Sequence, residues 1–273
     1  MLIDGTPGRM LSAADRGLHY GDGLFETIAV HRSRPLLWER HVDRLQAGCL
    51  RLGIPCPGAE LLASEADQLC VGAELAVLKI ILTRGSGGRG YTPPEPALPS
   101  RILSLHEWPD YPAAARMRGI EAPLCRIRLA RQPALAGFKH LNRLEQVLAR
   151  HELSAAGALE GIVLDTDGFA VEGTMSNLFA IRGDELWTPD LSWCGVAGVV
   201  RAEILERAVE WSLRAIVRQF TPEDIAAADE AFLTNSIIGV WPLTAIGGHR
   251  FDRGPRTEEI RRVLAAGGLI APP

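Results

Sequence analysis

The segment from Trp108 to Met117, WPDYPAAARM, limits the folds open to this chain more than any other feature. Its prolines interrupt regular structure and alanines follow them directly, which is the composition of a connector between domains. Strand and helix patterns occur on both sides of it. The sequence therefore predicts an α+β protein with two domains: a smaller one at residues 1–110, a linker at 111–118 and a larger one at 119–273.

Composition narrows the possible classes of function. A chain of 273 residues can bury roughly three quarters of the surface that its unfolded form exposes, so a substantial core is possible. Hydrophobic residues make up 47% and charged residues 23%, which is ordinary for a globular protein. The net charge of −4 gives no support for nucleic-acid binding, which needs a basic surface.

The cysteines indicate reduced thiols and not a metal or disulfide site. Their number is odd, no CxxC pair occurs, and none has metal-ligand spacing to a histidine. Because they lie in apolar runs, we expect buried thiols in a cytoplasmic protein. The start, MLIDGTPGRM, lacks a signal pattern, and no apolar run approaches the roughly 20 residues that span a bilayer. The cysteines are Cys49, Cys56, Cys70, Cys125 and Cys194.

The first half of the chain has the pattern of a sheet with helices. GLFETIAV, residues 23–30, and the nearly continuous apolar run LAVLKIILT, residues 75–83, predict strands. A glycine-rich loop, RGSGGRGY, follows at residues 84–91. A helix is predicted from about Glu39, because apolar residues recur there at a spacing that puts them on one face. These residues are Val42, Leu45, Cys49 and Leu52.

The second half also mixes strands and helices. GIEAPLCR, residues 119–126, predicts one strand, and a helix is predicted from about Leu141. A compact β region follows, with a turn at Asp167 and Gly168. A further helix is predicted from about Val199 to Ser212, because apolar residues line one side of it.

Lysine is rare in this chain: Lys79 and Lys139 are the only two, and the remaining 27 of the 29 basic residues are arginines. An arginine stays protonated, whereas a lysine amine can act as a nucleophile or base once its pKa is lowered. Schiff-base chemistry requires such an amine. Lys139 precedes an amphipathic helix in FKHLNRLEQVLAR, and a lone lysine at such a place is usually a solvated charge. Lys79 is the other candidate for a reactive amine.

Other polar residues could bind a charged cofactor. Glu172, in EGTMSNLFAI, ends one predicted strand beside a tight connection, and Asn177 begins the next. A carboxylate placed there is usually a solvated turn residue, but against a pyridine nitrogen it would keep that nitrogen protonated. GVAGVVR, residues 195–201, leads into a helix, whose N-terminal N–H groups can bind phosphate. Arg44 could hold a phosphate through two hydrogen bonds or be a surface charge.

Taken together, these motifs resemble those of the fold-type-IV pyridoxal-phosphate enzymes, the group that holds branched-chain and D-amino-acid transaminases and aminodeoxychorismate lyases. The resemblance implies their two-domain fold, similar to that of D-amino-acid aminotransferase, with pyridoxal 5'-phosphate as cofactor. It covers nearly the whole chain, in the order of the family. The matching segments are YGDGLFETI, ERHVDRL, RGSGGRGY, FKHLNRLEQVLAR, EGTMSNLF, AGVVR and TNSIIGVWP.

The same resemblance implies a role for each matching residue. Lys139, in the larger domain, would be the Schiff-base lysine and catalytic residue, and Glu172 the partner of the pyridine nitrogen. A homodimer is also implied, with the glycine-rich loop near the active site of the neighbouring subunit. The residues implied to hold the phosphate are Arg44, Gly198, Val199, Val200, Thr234 and Asn235.

Within the family, KHLNRLEQVLAR, RGSGGRGY and TNSIIGVWP most resemble the lyases, although KHLN is also similar to D-amino-acid transaminases. GDGLFET and EGTMSNLF are shared with the transaminases and do not discriminate. The implied reaction converts 4-amino-4-deoxychorismate to 4-aminobenzoate and pyruvate, a step toward folate. Open alternatives are a transaminase on the same scaffold and a non-catalytic protein that binds a phosphorylated ligand. An RNA-binding role for RGSGGRG is disfavoured by the negative net charge.

The implied substrate carries two carboxylates, so its site needs cations or N–H donors. Arg84 and Arg89 of the glycine-rich loop are candidates for that contact, with Tyr91 as a possible contact of the substrate ring. Thr27 is a further substrate candidate, in the predicted strand 23–30. Small molecules, and neither membranes nor nucleic acids, are thus the expected partners besides a second copy of the chain.

Overall fold

The computed structural model of the protein describes residues 1–251 and 254–272. The described chain divides into two compact units. The first comprises Met1–Pro109 with Phe138–Asn142, and the second comprises Asp110–Gly137 with the chain from Arg143 onward. Each unit combines helices with a sheet, which confirms the α+β prediction. Lys139 has its contacts in the first unit, while the domain limits 1–110, 111–118 and 119–273 stay a prediction.

The first unit is an antiparallel sheet covered by helices. The strands are β1 (Leu2–Ile3), β2 (Thr6–Pro7), β3 (Gly23–His31), β4 (Arg34–Pro35), β5 (Leu75–Thr83) and β6 (Ser100–Glu107), and the helices are α1 (Arg16–Tyr20), α2 (Trp38–Leu52) and α3 (Ala59–Cys70). The strand order is β2-β1-β6-β5-β3-β4, and β3 pairs with β5 over its whole length.

The apolar patterns of the first unit form its core as predicted. Side chains alternate between the two faces of a strand, and Leu24, Ile28 and Val30 of β3 point to the buried face. The predicted stripe of α2 packs into the same core, with Leu45 and Cys49 buried and Leu52 partly buried. The predictions of strands at 23–30 and 75–83 and of a helix near Glu39 are confirmed.

The second unit is built on a larger, mixed sheet. Its strands are β7 (Ile120–Ala122), β8 (Leu124–Leu129), β9 (Ile162–Asp165), β10 (Ala170–Gly173), β11 (Asn177–Arg182), β12 (Glu185–Pro189), β13 (Arg214–Arg218), β14 (Glu230–Asn235), β15 (Gly239–Ile246) and β16 (His249–Arg250). The main strand order is β16-β15-β14-β11-β10-β9-β8. In addition, β12 pairs with β11 and β13, and β7 pairs with β15. Its helices are α4 (Ala113–Arg118), α5 (Leu144–Ala156), α6 (Val199–Arg207), the 3₁₀ turn Ala208–Trp211, α7 (Pro222–Ala226) and α8 (Pro255–Ala266).

Several predicted elements differ from the observed ones. GIEAPLCR forms two strands, β7 and β8, because Pro123 has no N–H to continue a ladder. The helix predicted from Leu141 begins at Leu144, because the N–H of Leu141 instead donates to the Gly23 carbonyl, next to the bridge between His140 and Leu24. The helix predicted from Val199 to Ser212 tightens into a 3₁₀ turn after Arg207. Within the predicted linker, α4 forms directly after Pro112, which suits the entry of a helix.

The cysteines are all reduced thiols. Cys49, Cys70, Cys125 and Cys194 are buried, but Cys56 is exposed, so the prediction that all are buried is wrong at that position. The reason is local: Cys56 lies between two prolines in the turn after α2 and not in an apolar strand or helix. Burial raises the pKa of Cys70 and Cys125 to about 11, so these thiols stay protonated. Within residues 1–251 and 254–272, no helix is long and apolar enough to cross a bilayer.

Candidate active site

The segment Phe138–Asn142 lies along the start of β3 as an added strand-like element. The N–H of Phe25 donates to the carbonyl of Lys139 over 2.9 Å, and the N–H of Leu141 donates to the carbonyl of Gly23 over 3.0 Å. The Asn142 side-chain amide also donates to the Gly21 carbonyl, over 3.2 Å. Lys139 is therefore held by main-chain hydrogen bonds of the kind that fix a strand.

The Lys139 ammonium lies over the ring of Phe25, 4.5 Å from its centroid. The Lys79 ammonium lies 5.5 Å from the centroid of the same ring, so both lysines of the chain contact one aromatic side chain. Thr27 is the cross-strand partner of Lys79 and lies two residues after Phe25, so it shares their face of the sheet. The structure thus brings together Lys139, its rival Lys79 and the predicted substrate residue Thr27.

The opposite face of β3 holds Arg44 beside a buried carboxylate. Arg44 donates to Glu26 through Nε (2.9 Å) and Nη2 (2.5 Å), and His41 Nδ1 lies 2.6 Å from the same carboxylate. Burial alone would raise the pKa of Glu26, but the charge of Arg44 and the hydrogen bond from His41 outweigh it and lower this pKa to about 2. Burial also lowers the pKa of His41, which Glu26 only partly opposes. His41 is therefore a neutral donor and Glu26 a carboxylate.

Glu172 lies at the end of β10, opposite Asn177 at the start of β11. It is buried, and its Oε2 accepts a hydrogen bond of 2.8 Å from the N–H of Val196. The Asn177 side-chain amide donates to the carbonyl of the same Val196, also over 2.8 Å. Both main-chain groups of Val196 are thus bound by the Glu172–Asn177 pair, which fixes the glycine-punctuated turn that sequence analysis singled out.

Two glycines make this turn possible. A Cβ on Gly198 would lie 2.0 Å from Asn177 Oδ1, so a larger residue would displace the Asn177 side chain. Gly137, with φ of +80°, donates to the carbonyl of Gly195 and accepts from the N–H of Ala197, both over 3.0 Å. Gly137 is the last residue of the second unit before the segment that carries Lys139. The main chain two residues before the lysine is therefore hydrogen-bonded to the turn that contacts Glu172.

The turn ends at the N-terminus of α6. Gly198 is the N-cap and makes no side-chain capping bond. The first N–H groups of a helix have no acceptor inside it and carry a partial positive charge, which suits an anion. Val199 and Val200 supply these groups here. Arg201 in the same turn binds within the unit, donating to the Thr188 hydroxyl and the Pro189 carbonyl.

The side chains of Thr234 and Asn235 form hydrogen bonds within the second unit. The Thr234 hydroxyl donates to the Gly239 carbonyl over 2.7 Å. The Asn235 amide donates to the Met175 carbonyl over 2.9 Å, and its oxygen accepts from the N–H groups of Ile237 and Ile238. Their contact with a phosphate stays a prediction, and the contacts observed here give both residues a role in shaping the turn after β14.

Sequence analysis missed Glu160, whose side chain shapes the turn after Glu172. Glu160 is fully buried. Its carboxylate accepts from the N–H groups of Gly161, Thr174 and Met175, over 3.1, 2.9 and 3.2 Å, and from the hydroxyls of Thr174 and Ser176. In the sequence it is an ordinary acid before the strand GIVLD, and only its place before an apolar strand signals burial.

Glu26 and His41 were also missed as parts of a charged cluster. The sequence does carry a signal, since Glu26 occupies the buried register of β3 between Leu24 and Ile28. An acid at such a position needs a partner, because a buried unpaired charge is costly. The i, i+3 spacing of His41 and Arg44 places both on one side of α2, but that side faces Glu26 only because of how α2 packs on β3.

The predicted substrate residues of the glycine-rich loop differ in their surroundings. Arg84 is buried and donates to Asp22 and to the carbonyls of Leu52 and Gly53. Arg89 and Tyr91 are exposed, Tyr91 by 84%. Contact of these residues with substrate stays a prediction, and Arg84 has a structural role in anchoring the loop.

Comparisons with known proteins agree with these observations. The family model of class IV amino-transferases matches residues 23–246. The solved 4-amino-4-deoxychorismate lyase from Pseudomonas aeruginosa is 48% identical, with a TM-score of 0.93 over 97% of this chain and 98% of that one. The aminodeoxychorismate lyase of Vibrio harveyi is 36% identical over 244 residues, which are 89% of this chain and 90% of that protein.

A branched-chain aminotransferase of solved structure is less similar than these two lyases. The solved branched-chain amino acid aminotransferase of Escherichia coli is 25% identical, with a TM-score of 0.87 over 98% of this chain and 93% of that one. Proteins named for either reaction thus share this fold.

Proposed function

Because this chain belongs to the class IV aminotransferase family, whose members use pyridoxal phosphate, we propose that it is an aminodeoxychorismate lyase. It would convert 4-amino-4-deoxychorismate to 4-aminobenzoate and pyruvate, in folate biosynthesis. The higher identity to two lyases than to the transaminase supports this reaction. So does the exposed Arg89 of the glycine-rich loop, which suits a substrate that carries carboxylates.

The residues present fit pyridoxal 5'-phosphate. Lys139 would carry it covalently, Glu172 would pair with its ring nitrogen, and the N–H groups of Val199 and Val200, with Arg44, would bind its phosphate. One observation carries this assignment. The turn that contacts Glu172 through Val196 is also hydrogen-bonded to Gly137, two residues before Lys139.

When bound, the cofactor supplies an electron sink for the reacting carbon. Lys139 would act as a neutral base and remove the proton from the substrate carbon that bears nitrogen. The bond between the ring carbon and the enolpyruvyl oxygen would then break, and Lys139 would return the proton to the released three-carbon fragment, which leaves as pyruvate. Glu172, held by the Val196 N–H, would pair with the ring nitrogen and favour its protonated form. Thr27, which shares the face of Phe25, would contact the substrate.

The test is incubation with 4-amino-4-deoxychorismate while 4-aminobenzoate fluorescence is recorded. Wild-type protein should release the product without any keto acid. Lys139→Arg should lower turnover by at least roughly a hundredfold, because arginine cannot exchange the proton. Lys79→Arg is the matched control, since it keeps a cation near the same Phe25 ring and should retain most activity.

Other outcomes would contradict the proposal. Borohydride reduction and peptide mapping should find the pyridoxyl label on Lys139, and a label on Lys79 would reverse the two roles. Steady amino transfer between an amino acid and a keto acid, with no 4-aminobenzoate, would identify a transaminase. A colourless protein that binds a phosphorylated ligand without turnover would identify a non-catalytic binding protein.

The lyase is further proposed to act as a cytoplasmic homodimer. Leu144, Val147 and Leu148 share one side of α5 and are 77%, 58% and 54% exposed. Residues at i, i+3 and i+4 form a continuous apolar patch, and a second copy of the chain would cover it. Light scattering should give a molar mass of twice the chain mass of 29.6 kDa. The Leu148→Glu substitution should lower the measured mass toward that of the monomer. A wild-type monomer at micromolar concentration would contradict the proposed homodimer.

Free cysteines are consistent with the proposed location in the cytoplasm, where thiols are kept reduced.

A further inference from the structure

Arg16 of α1 binds the main chain at the end of the glycine-rich loop. Arg16 is 4% exposed. Its guanidinium donates to three consecutive main-chain carbonyls of the chain that closes the loop: Gly90 over 3.0 Å, Tyr91 over 2.9 Å and Thr92 over 3.3 Å. One side chain thus satisfies carbonyls that a flexible loop would leave to water.

An aromatic contact adds to this support. The Arg16 guanidinium carbon lies 4.8 Å from the centroid of the Tyr20 ring. The Tyr20 hydroxyl accepts from the N–H of Gly90 over 3.3 Å, and the rings of Tyr20 and Tyr91 meet edge to face at 5.3 Å. Residues of α1 therefore bind the main chain of the loop and one of its side chains.

Asp22 joins Arg16 to the start of the loop. Its carboxylate accepts from Arg16 Nε over 2.8 Å and from Arg84 Nε and Nη2 over 2.8 and 3.0 Å. Burial opposes ionisation of Asp22, but the hydrogen bonds of Arg84 and Arg16 outweigh it and lower the pKa of this carboxyl. The loop is thus tied at residue 84 and at residues 90–92 to one charged cluster, while Arg89 is exposed on the span that the cluster supports.

We propose that Arg16 is a positioning residue for substrate recognition: it holds the glycine-rich loop in one conformation so that Arg89 and Tyr91 are presented to a dicarboxylate substrate. This inference rests on the proposed function for its substrate. The planar, forked guanidinium can donate to several carbonyls at once, which a lysine ammonium on a flexible stem does less well. A loop that is ordered in advance loses less conformational entropy when the substrate binds.

The first experiment needs no catalytic activity. Trypsin can cut after Arg89 only when the loop opens, so cleavage of the folded protein between Arg89 and Gly90 reports loop order. Arg16→Lys should raise the rate of this cut roughly tenfold or more, because it removes charge-assisted hydrogen bonds to the loop. Arg34→Lys, at an exposed arginine, is the matched control and should leave the rate unchanged. Arg16→Met is a second variant, and circular dichroism confirms that each variant is folded.

The second experiment uses the holoenzyme with 4-amino-4-deoxychorismate. Arg16→Lys should raise KM about tenfold with kcat within about twofold, since positioning that acts on binding alone leaves kcat unchanged. Arg89→Met should give a similar KM, and the double variant should be no worse than Arg89→Met alone, because both act through one contact.

The outcomes separate this inference from the proposed function. Unchanged trypsin cleavage in the Arg16 variants overturns the inference, whatever the activity of the protein. Faster cleavage with an unchanged KM also overturns it, because Arg16 would then stabilise the loop without any part in recognition. A wild-type protein that makes no 4-aminobenzoate refutes the proposed lyase function, and the substrate part of this inference with it. Faster cleavage in that case confirms only that Arg16 orders the loop.

Discussion

Glu26 in the first unit and Glu160 in the second are carboxylates with almost the same burial, 1% and 0% exposed. They are stabilised in different ways. Glu26 is bound by side chains, the guanidinium of Arg44 and the ring of His41. The hydrogen bonds of Glu160 come from neutral donors, which are main-chain N–H groups and hydroxyls. The first arrangement orients a cation, and the second fixes a stretch of main chain.

This difference matches the group that each carboxylate contacts within its own unit. Arg44 is a proposed phosphate ligand, and the Glu26 carboxylate holds two of its nitrogens in place. Glu160 closes the turn at residues 173–176, and that turn joins Glu172 to Asn177. A Cβ on Gly173 would lie 3.0 Å from Glu160 Oε2, so the turn is packed tightly onto this carboxylate. Glu26 thus orients Arg44, and Glu160 fixes the turn next to Glu172.

Removing the acceptor of the second unit should have the largest effect. Glu160→Leu leaves three main-chain N–H groups and two hydroxyls buried without their acceptor. Each such group costs about 1–3 kcal/mol, so the free energy of unfolding should fall by about 5 kcal/mol or more, as measured by urea denaturation. Glu160→Gln keeps one acceptor oxygen and should lose about half as much. A loss below about 2 kcal/mol in Glu160→Leu would show that water replaces the carboxylate there.

Breaking the charged cluster of the first unit should have a smaller effect that a second substitution can reverse. Glu26→Gln leaves Arg44 facing a neutral group and should lower the free energy of unfolding of the apoprotein by about 3–4 kcal/mol. Adding Arg44→Met removes the second charge and should restore part of that loss, which a double-mutant cycle measures. Strictly additive losses would contradict the picture of a coupled pair. No single second substitution should rescue Glu160→Leu, because three of its five donors belong to the main chain.

The two carboxylates also mark what the sequence could and could not predict. The strand at 23–30 and the stripe of α2 were predictable, because apolar periodicity is a local property. Lys139 and Glu172 were assigned by amine chemistry and by a resemblance, not by geometry. The clusters around Glu26 and Glu160 depend on which elements pack together, and no local pattern records that. The break at Pro123 was predictable from the missing N–H of proline, and sequence analysis overlooked it.

Acidification should remove the stabilisation that the Glu26 cluster provides. The pKa of Glu26 is about 2 in the folded chain, against an ordinary 4.5, so the unfolded chain binds the proton first. The contribution of Glu26 is therefore complete above pH 4.5 and is lost as pH falls toward 2, with a total of roughly 3 kcal/mol at most. Urea denaturation of wild type and Glu26→Gln across this range should give curves that converge as pH falls. A constant difference would show that Glu26 is protonated in the folded chain.

The smallest effect is expected at an exposed pair, which shows how far the contrast depends on burial. Glu74 lies 3.5 Å from Arg32, and their side chains are 77% and 75% exposed. Water and salt screen such a pair, so Glu74→Gln should change the free energy of unfolding by less than about 1 kcal/mol. The same substitution in the buried Glu26 should cost several times more in the same urea titration. Equal losses at the two positions would mean that the Glu26 carboxylate is hydrated, and the contrast with Glu160 would then rest on solvent access and not on the kind of donor.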